Sequence, residues 1–221
     1  MSDLDSAAPV RPEPPTVYRW VVLVVISLAM FANYYFYDSI APIADILKSD
    51  LGFSDENIGS LYSFYSIAAD IVLLIGGVII DRFGTAKSTI LFAAICTVAG
   101  ILNAVSSDLT VMLVARFLLG IGSEPLIVAI TTALAKWFKG KELSFAFGLN
   151  LTIARLGSVG ADWSPTWFRG AYETWRGPLL VALVFGFVSF IGAAVYWILE
   201  ARTVGRYKIG EAEETEAATP K

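Results

Sequence analysis

The chain has 221 residues, of which 56% are hydrophobic and only 16% charged, with a net charge of −4. A soluble domain carries about 25% charged residues, so an ordinary water-soluble globule is excluded. The chain has no histidine and one cysteine, Cys96, which excludes Ser–His and Cys–His catalysis, histidine zinc motifs, an internal disulfide and a cysteine metal centre. No basic face calls for nucleic acid as a partner, and no cofactor box is present.

Residues 1–17 are polar, proline-rich and acidic, without a basic segment ahead of the first apolar run. They read as a disordered cytoplasmic tail rather than a cleaved signal peptide. A membrane helix needs about 20 apolar residues, and the chain supplies six such runs. Span one covers Tyr18–Leu47, span two Glu56–Ile80, span three Lys87–Val105, span four Leu109–Phe138, span five Glu142–Phe168 and span six Gly177–Leu199. Pro42 and Pro125 are expected kink points. The segment between spans five and six, Arg169–Arg176, is expected to form a small external cap. Residues 202–221, with the acidic run Glu211–Glu216, read as a second disordered tail. The fold class is therefore all-α: one polytopic six-helix domain over residues 18–201.

Ten basic residues (Arg11, Arg19, Arg82, Lys87, Lys136, Lys139, Lys141, Arg202, Arg206 and Lys208) fall on one side of these spans, against three on the other, Lys48, Arg169 and Arg176. The inside-positive bias then puts both termini in the cytoplasm. Trp20, Trp137 and Trp197 lie near span ends and read as interface anchors.

Five charged residues, Asp38, Asp70, Arg116, Glu124 and Arg155, sit inside the apolar runs. Each costs about 2.5–3.5 kcal/mol at a helix centre on insertion scales, so such groups face a polar interior and mark pathways. Glu124 and Arg116 are more than two helical turns apart, which makes direct pairing poor, and Glu124 is expected to face span five or span one. Arg155 has Thr152 and Ser158 one turn away on its own face. Its planar fork suits a carboxylate ligand, although Asp162 or Glu124 would also neutralise it. Arg116 is expected to gate, or to pair with an acid on span one. Asp70 follows Tyr62 and Ser66 in four-residue steps, a stripe that faces either a substrate or a helix–helix seam. Tyr34, Tyr37, Tyr62 and Tyr65 either wall a cavity or sit at the membrane interface, and Asn150 in span five is a candidate for orienting substrate.

After span two comes Gly77-Val78-Ile79-Ile80-Asp81-Arg82-Phe83-Gly84, ending in Lys87. This segment resembles the signature loop of the major facilitator superfamily. Gly77 would let a neighbouring helix approach, Asp81 and Arg82 would act in gating or coupling, and Gly84 would permit the tight turn. Arg116-x3-Gly120-x-Gly122 resembles a second element of that superfamily. Gly120–Glu124, Trp137–Leu143 and Ala154–Ser158 are similar to its lysosomal dipeptide transporter branch, and Tyr37-Asp38 less specifically so.

The resemblance implies that Glu124 holds the amine and Arg155 the carboxylate of a dipeptide. It also implies that the six spans correspond to one half of a twelve-span fold, with the substrate site at the bilayer midplane between two halves. The expected function is alternating-access transport of a small polar or zwitterionic solute, such as a dipeptide. Its partners would be that solute, membrane lipid, and a second six-helix half supplied by another copy or by a separate protein. A plasma (inner) membrane is expected rather than a lysosomal one. The alternative is a non-transporting membrane subunit that assembles with another membrane protein. An intramembrane enzyme, resting only on an Asp38–Asp70 pair, is the weakest of the three.

Overall fold

The computed structural model describes residues 12–207 and 209. Arg11, Lys208, the acidic run and most of both expected tails lie outside them. Seven α-helices follow in chain order: α1 (Thr16–Asp38), α2 (Ala44–Leu51), α3 (Asp55–Phe83), α4 (Thr85–Val105), α5 (Leu109–Trp137), α6 (Gly140–Trp167) and α7 (Arg176–Thr203). No strand interrupts them among the described residues. Among the described residues six helical segments are long and apolar enough to cross a membrane, the first made up of α1 and α2 together. A helix satisfies every backbone donor and acceptor within itself, which is what hydrocarbon demands.

Local chemistry sets the helix ends. Ser54 Oγ accepts from the backbone N of Asn57 while Asn57 Oδ1 accepts from the backbone N of Ser54, closing a capping box at the start of α3. Asp108 caps α5 by accepting from the backbone N of Val111. Gly84, at φ +82°, reverses the chain between α3 and α4, a conformation that glycine adopts without penalty. Pro42 acts as expected: α1 stops at Asp38, a short 3-10 turn spans Ala41–Ile43, and α2 restarts at Ala44. Pro125, by contrast, sits inside an unbroken α5. The expected cap between spans five and six is a 3-10 turn, Arg169–Glu173, followed by the backbone N of Trp175 donating to Asp50 at 3.2 Å.

The helices pack in the lateral order α6–α1–α7–α4–α5–α3, with a further seam between α1 and α5. The series is open: α3 and α6 are its two ends, and their spans are the least buried, each about 28%. Small residues let backbones meet in the interior. A methyl on Gly120 of α5 would lie 2.4 Å from the carbonyl oxygen of Tyr65 in α3, and one on Gly157 of α6 would strike the carbonyl of Phe31 in α1. The close approach expected at Gly77 falls instead one residue earlier. Gly76 abuts Pro125, whereas Gly77 has nothing within 4 Å of its missing methyl. One residue is about 100° around a helix, so the two glycines face different neighbours.

Large apolar side chains cover the outside, Leu74, Val78, Val184 and Ile191 among them, as lipid requires. Trp197 is partly exposed, as an interface anchor is. Trp137, expected to be another, is 2% exposed and belongs to the core.

The two ends of the bundle differ. At one, Arg19 at the start of α1 pairs with Glu142 at the start of α6 at 2.7 Å. There too, Lys136 of α5 reaches Glu200 of α7 at 3.3 Å and donates to Thr85 of α4 at 2.9 Å. At the other end Lys48 pairs with Asp55. The beginning of α1 and the end of α7 thus share the end that carries Asp81, Arg82 and the Gly84 turn between α3 and α4.

Candidate functional site

A cleft of about 380 Å³ opens among α1, α3 and α5. Helix α1 contributes Asn33, Tyr34 and Tyr37 to its wall, α3 contributes Tyr65, Ser66 and Asp70, and α5 contributes Ser123 and Glu124. The spacing explains the convergence. Asn33, Tyr34 and Tyr37 lie within one turn and a half of α1. Ser66 and Asp70 are one turn apart on α3, while Ser123 and Glu124 are adjacent at the point where Gly122 brings α5 against Phe92 and Cys96 of α4.

Glu124 is half-buried and accepts a hydrogen bond from the Tyr65 hydroxyl at 3.0 Å. Its partner is therefore on α3, not on span five or span one. The same hydroxyl lies 2.9 Å from Ser123 Oγ, which also accepts from Asn33 Nδ2 at 2.9 Å. Asn33 Oδ1 in turn faces the Cys96 thiol at 3.9 Å. Four helices thus meet through one buried polar chain whose open end is the Glu124 carboxylate. The rings of Tyr37 and Tyr65 pack with centroids 4.5 Å apart beside it.

Arg155 stands on the opposite flank. Its side chain is exposed, and the guanidinium lies over the Tyr34 ring, 5.0 Å from the centroid, a contact worth about 0.5–1 kcal/mol where solvated. Among the described residues no carboxylate comes within 4 Å of it; neither Asp162 nor Glu124 neutralises it. Tyr34 therefore joins the two charged groups: one face carries Arg155, and the ring also walls the cleft that holds Glu124.

Other sequence candidates fall elsewhere. Arg116 is 1% exposed and donates from Nη1 to the carbonyl of Tyr37 at 3.0 Å, while its Nε and Nη2 have no partner. An acid partner on span one is thus replaced by a backbone carbonyl, because the last turn of α1, which ends at Asp38, leaves its C=O groups without intrahelical partners. Tyr62 packs edge-to-face on Tyr37, 6.0 Å between centroids, behind the cleft rather than on its wall. Asn150 is 2% exposed and donates to Ser27 at 2.9 Å in the α1–α6 seam, away from the cleft. Asp38 is half-buried at the C-terminal end of α1 and does not line the cleft that holds Asp70. Asp81 and Arg82 are exposed, and Arg82 lies over the neighbouring Phe83 ring.

Sequence reasoning missed Asn33, Ser123 and the Lys136–Thr85–Glu200 cluster. Asn33 carried a signal, being a lone amide in an apolar run. Ser123 had only its place beside Glu124.

The described helices form an open series of six spans with a polar cleft among α1, α3 and α5, and the sequence profile of the Major Facilitator Superfamily matches residues 26–220. The chain belongs to the Major Facilitator Superfamily. It is similar to the lysosomal dipeptide transporter MFSD1 of Mus musculus, 33% identical over 79% of this chain and 39% of the mouse protein. It is 29% identical to the probable sulfoacetate transporter SauU of Cupriavidus necator over 64% of this chain and 33% of that one. In fold it matches the POT family transporter PepTSo, with a TM-score of 0.69, 18% identity, and coverage of 91% of this chain and 40% of that one. The chain thus spans about two fifths or less of the length of these relatives. A preference for the plasma membrane finds no support among them, since the mouse relative is named lysosomal.

Proposed function

We propose that this major facilitator bundle forms one wall of a secondary transporter for a small zwitterionic solute, with dipeptides as the leading class. Glu124 takes the ammonium group and Arg155 the carboxylate. The observation that carries this reading is the disposition of these two groups about Tyr34: an anion held at one oxygen by Tyr65, and a cation with no carboxylate within 4 Å among the described residues. A dipeptide backbone spans about 6–7 Å, a length suited to charges on separate helices, and the surrounding tyrosines accept varied side chains. Asp70, in the same cleft, and Asp38, Asp81, Arg82 and Arg116, outside it, are assigned to coupling or gating. A second six-helix body, another copy or a different half, faces the open mouth between α3 and α6. The two bodies rock about the site between inward- and outward-open states. Both termini lie on the cytoplasmic side, in keeping with the ten-to-three basic bias.

The test measures binding of Ala-Ala and of N-acetyl-Ala-Ala to the purified chain. Leaving the ligand's charge unmatched at these half-buried and exposed groups costs about 1–2 kcal/mol, roughly 5- to 30-fold in affinity. Glu124→Gln should lose this for Ala-Ala and little for the acetylated form, while Arg155→Leu should lose it for both. Parent-like binding of Ala-Ala by either variant would refute the assignment.

A further inference from the structure

We infer that Asn33 is a positioning residue for Glu124: by donating into Ser123 Oγ from behind, it commits the single phenolic proton of Tyr65 to the Glu124 carboxylate. The inference rests on the reading of the cleft as a cation-binding site and adds what sets the carboxylate's presentation.

The Tyr65 hydroxyl has one hydrogen and two acceptors in reach, Glu124 Oε1 at 3.0 Å and Ser123 Oγ at 2.9 Å. Distance does not choose between them. Ser123 Oγ, however, already receives the Asn33 amide at 2.9 Å, which occupies one of its two lone pairs. The Asn33 amide is itself fixed in orientation, because its Oδ1 faces the Cys96 thiol, a weak donor. All of this is dry: Asn33 is 3% exposed, Ser123 1% and Tyr65 6%. With Ser123 partly filled and Glu124 carrying a full charge, the phenol donates to Glu124, since hydrogen bonds to ionised acceptors are about twice as strong as neutral ones. That bond fixes Oε1 and leaves Oε2 for a ligand in the cleft. Without the Asn33 amide, Ser123 presents both lone pairs, so the phenolic proton is shared between the two acceptors and the carboxylate's tether loosens.

A double substitution separates this role from plain packing. Asn33→Leu removes the amide at similar volume, and Asn33→Met does so with a more adaptable side chain should the leucine variant not fold. Adding Ser123→Ala to either deletes the competing acceptor, so the phenol has Glu124 alone to bond. The first readout needs no ligand. It is the infrared C–O stretching band of Tyr65 in the purified chain carrying ¹³C-tyrosine, assigned by its loss in Tyr65→Phe. The band should move in Asn33→Leu and return to the parent position in Asn33→Leu/Ser123→Ala. Affinity for Ala-Ala should follow the same course, falling about tenfold in the single variant, the low end for a hydrogen bond to a charged group, and recovering in the double. A band that stays in place in the single variants, or that the second substitution does not bring back, overturns the inference. A parent chain that does not bind Ala-Ala overturns the reading of the cleft, while the infrared result still decides the role of Asn33.

Discussion

Gly120→Ala tests whether the α3–α5 contact holds the site together. A methyl at Gly120 would sit 2.4 Å from the Tyr65 carbonyl oxygen and 2.9 Å from the Ala68 methyl. Ordinary contact begins near 3.4 Å, so α3 must retreat by about 1 Å, because a backbone carbonyl has no rotamer by which to yield. The atom struck belongs to Tyr65 itself, and the same retreat carries its ring. The Tyr65–Glu124 hydrogen bond, now 3.0 Å, would stretch toward about 4 Å and cease to be one. Overpacking costs about 1–3 kcal/mol and the lost bond to a charged group about 1.5–3 kcal/mol. The two overlap, since retreat relieves the first at the expense of the second, and a net loss of about 2–4 kcal/mol is expected. At roughly 2–4 °C per kcal/mol for a chain of this size, the melting temperature in detergent should fall by roughly 4–16 °C, read by tryptophan fluorescence. Gly148→Ala is the control, being interior to α6 with nothing within 4 Å of its missing methyl; there alanine's higher helix propensity should hold or raise the melting point. If Gly120→Ala melts with Gly148→Ala and binds Ala-Ala like the parent, the packing argument is wrong.

Two further predictions concern charge. Lys136→Met takes from Glu200, 11% exposed at its side chain, the cation that neutralises it and leaves the neutral hydroxyls of Thr85 and Tyr196 beside it. Loss of one member of a fully buried pair costs about 3–5 kcal/mol, and with Lys136 one third exposed about 1–3 kcal/mol is expected. Lys136→Met/Glu200→Gln should regain part of it in a double-mutant cycle, and a double variant no more stable than the single would contradict the pairing. Arg116→Met should cost little, within about 1 kcal/mol, or stabilise the chain, because two guanidinium nitrogens are dehydrated without partners. A loss above about 3 kcal/mol by the same melting assay would mean that Arg116 is compensated in a way its single bond to Tyr37 does not account for.

Sequence by itself determined the number and extent of the membrane spans, the kink at Pro42 and the set of charges needing shelter. These are properties of single positions or short windows: hydrocarbon accepts only helices with their backbone satisfied internally, and a charge inside an apolar run declares itself. The pairings were decided by the tertiary structure, because they join residues far apart in the chain and depend on which face each helix turns. Tyr65 meets Glu124 across 59 positions and Asn33 meets Ser123 across 90, and no local pattern encodes either. The same dependence on rotation put Gly76 rather than Gly77 against Pro125, turned Asn150 into the α1–α6 seam and drew Trp137 into the core. A step of one residue turns a side chain through about 100°, and only the packed neighbours fix which direction faces the cleft.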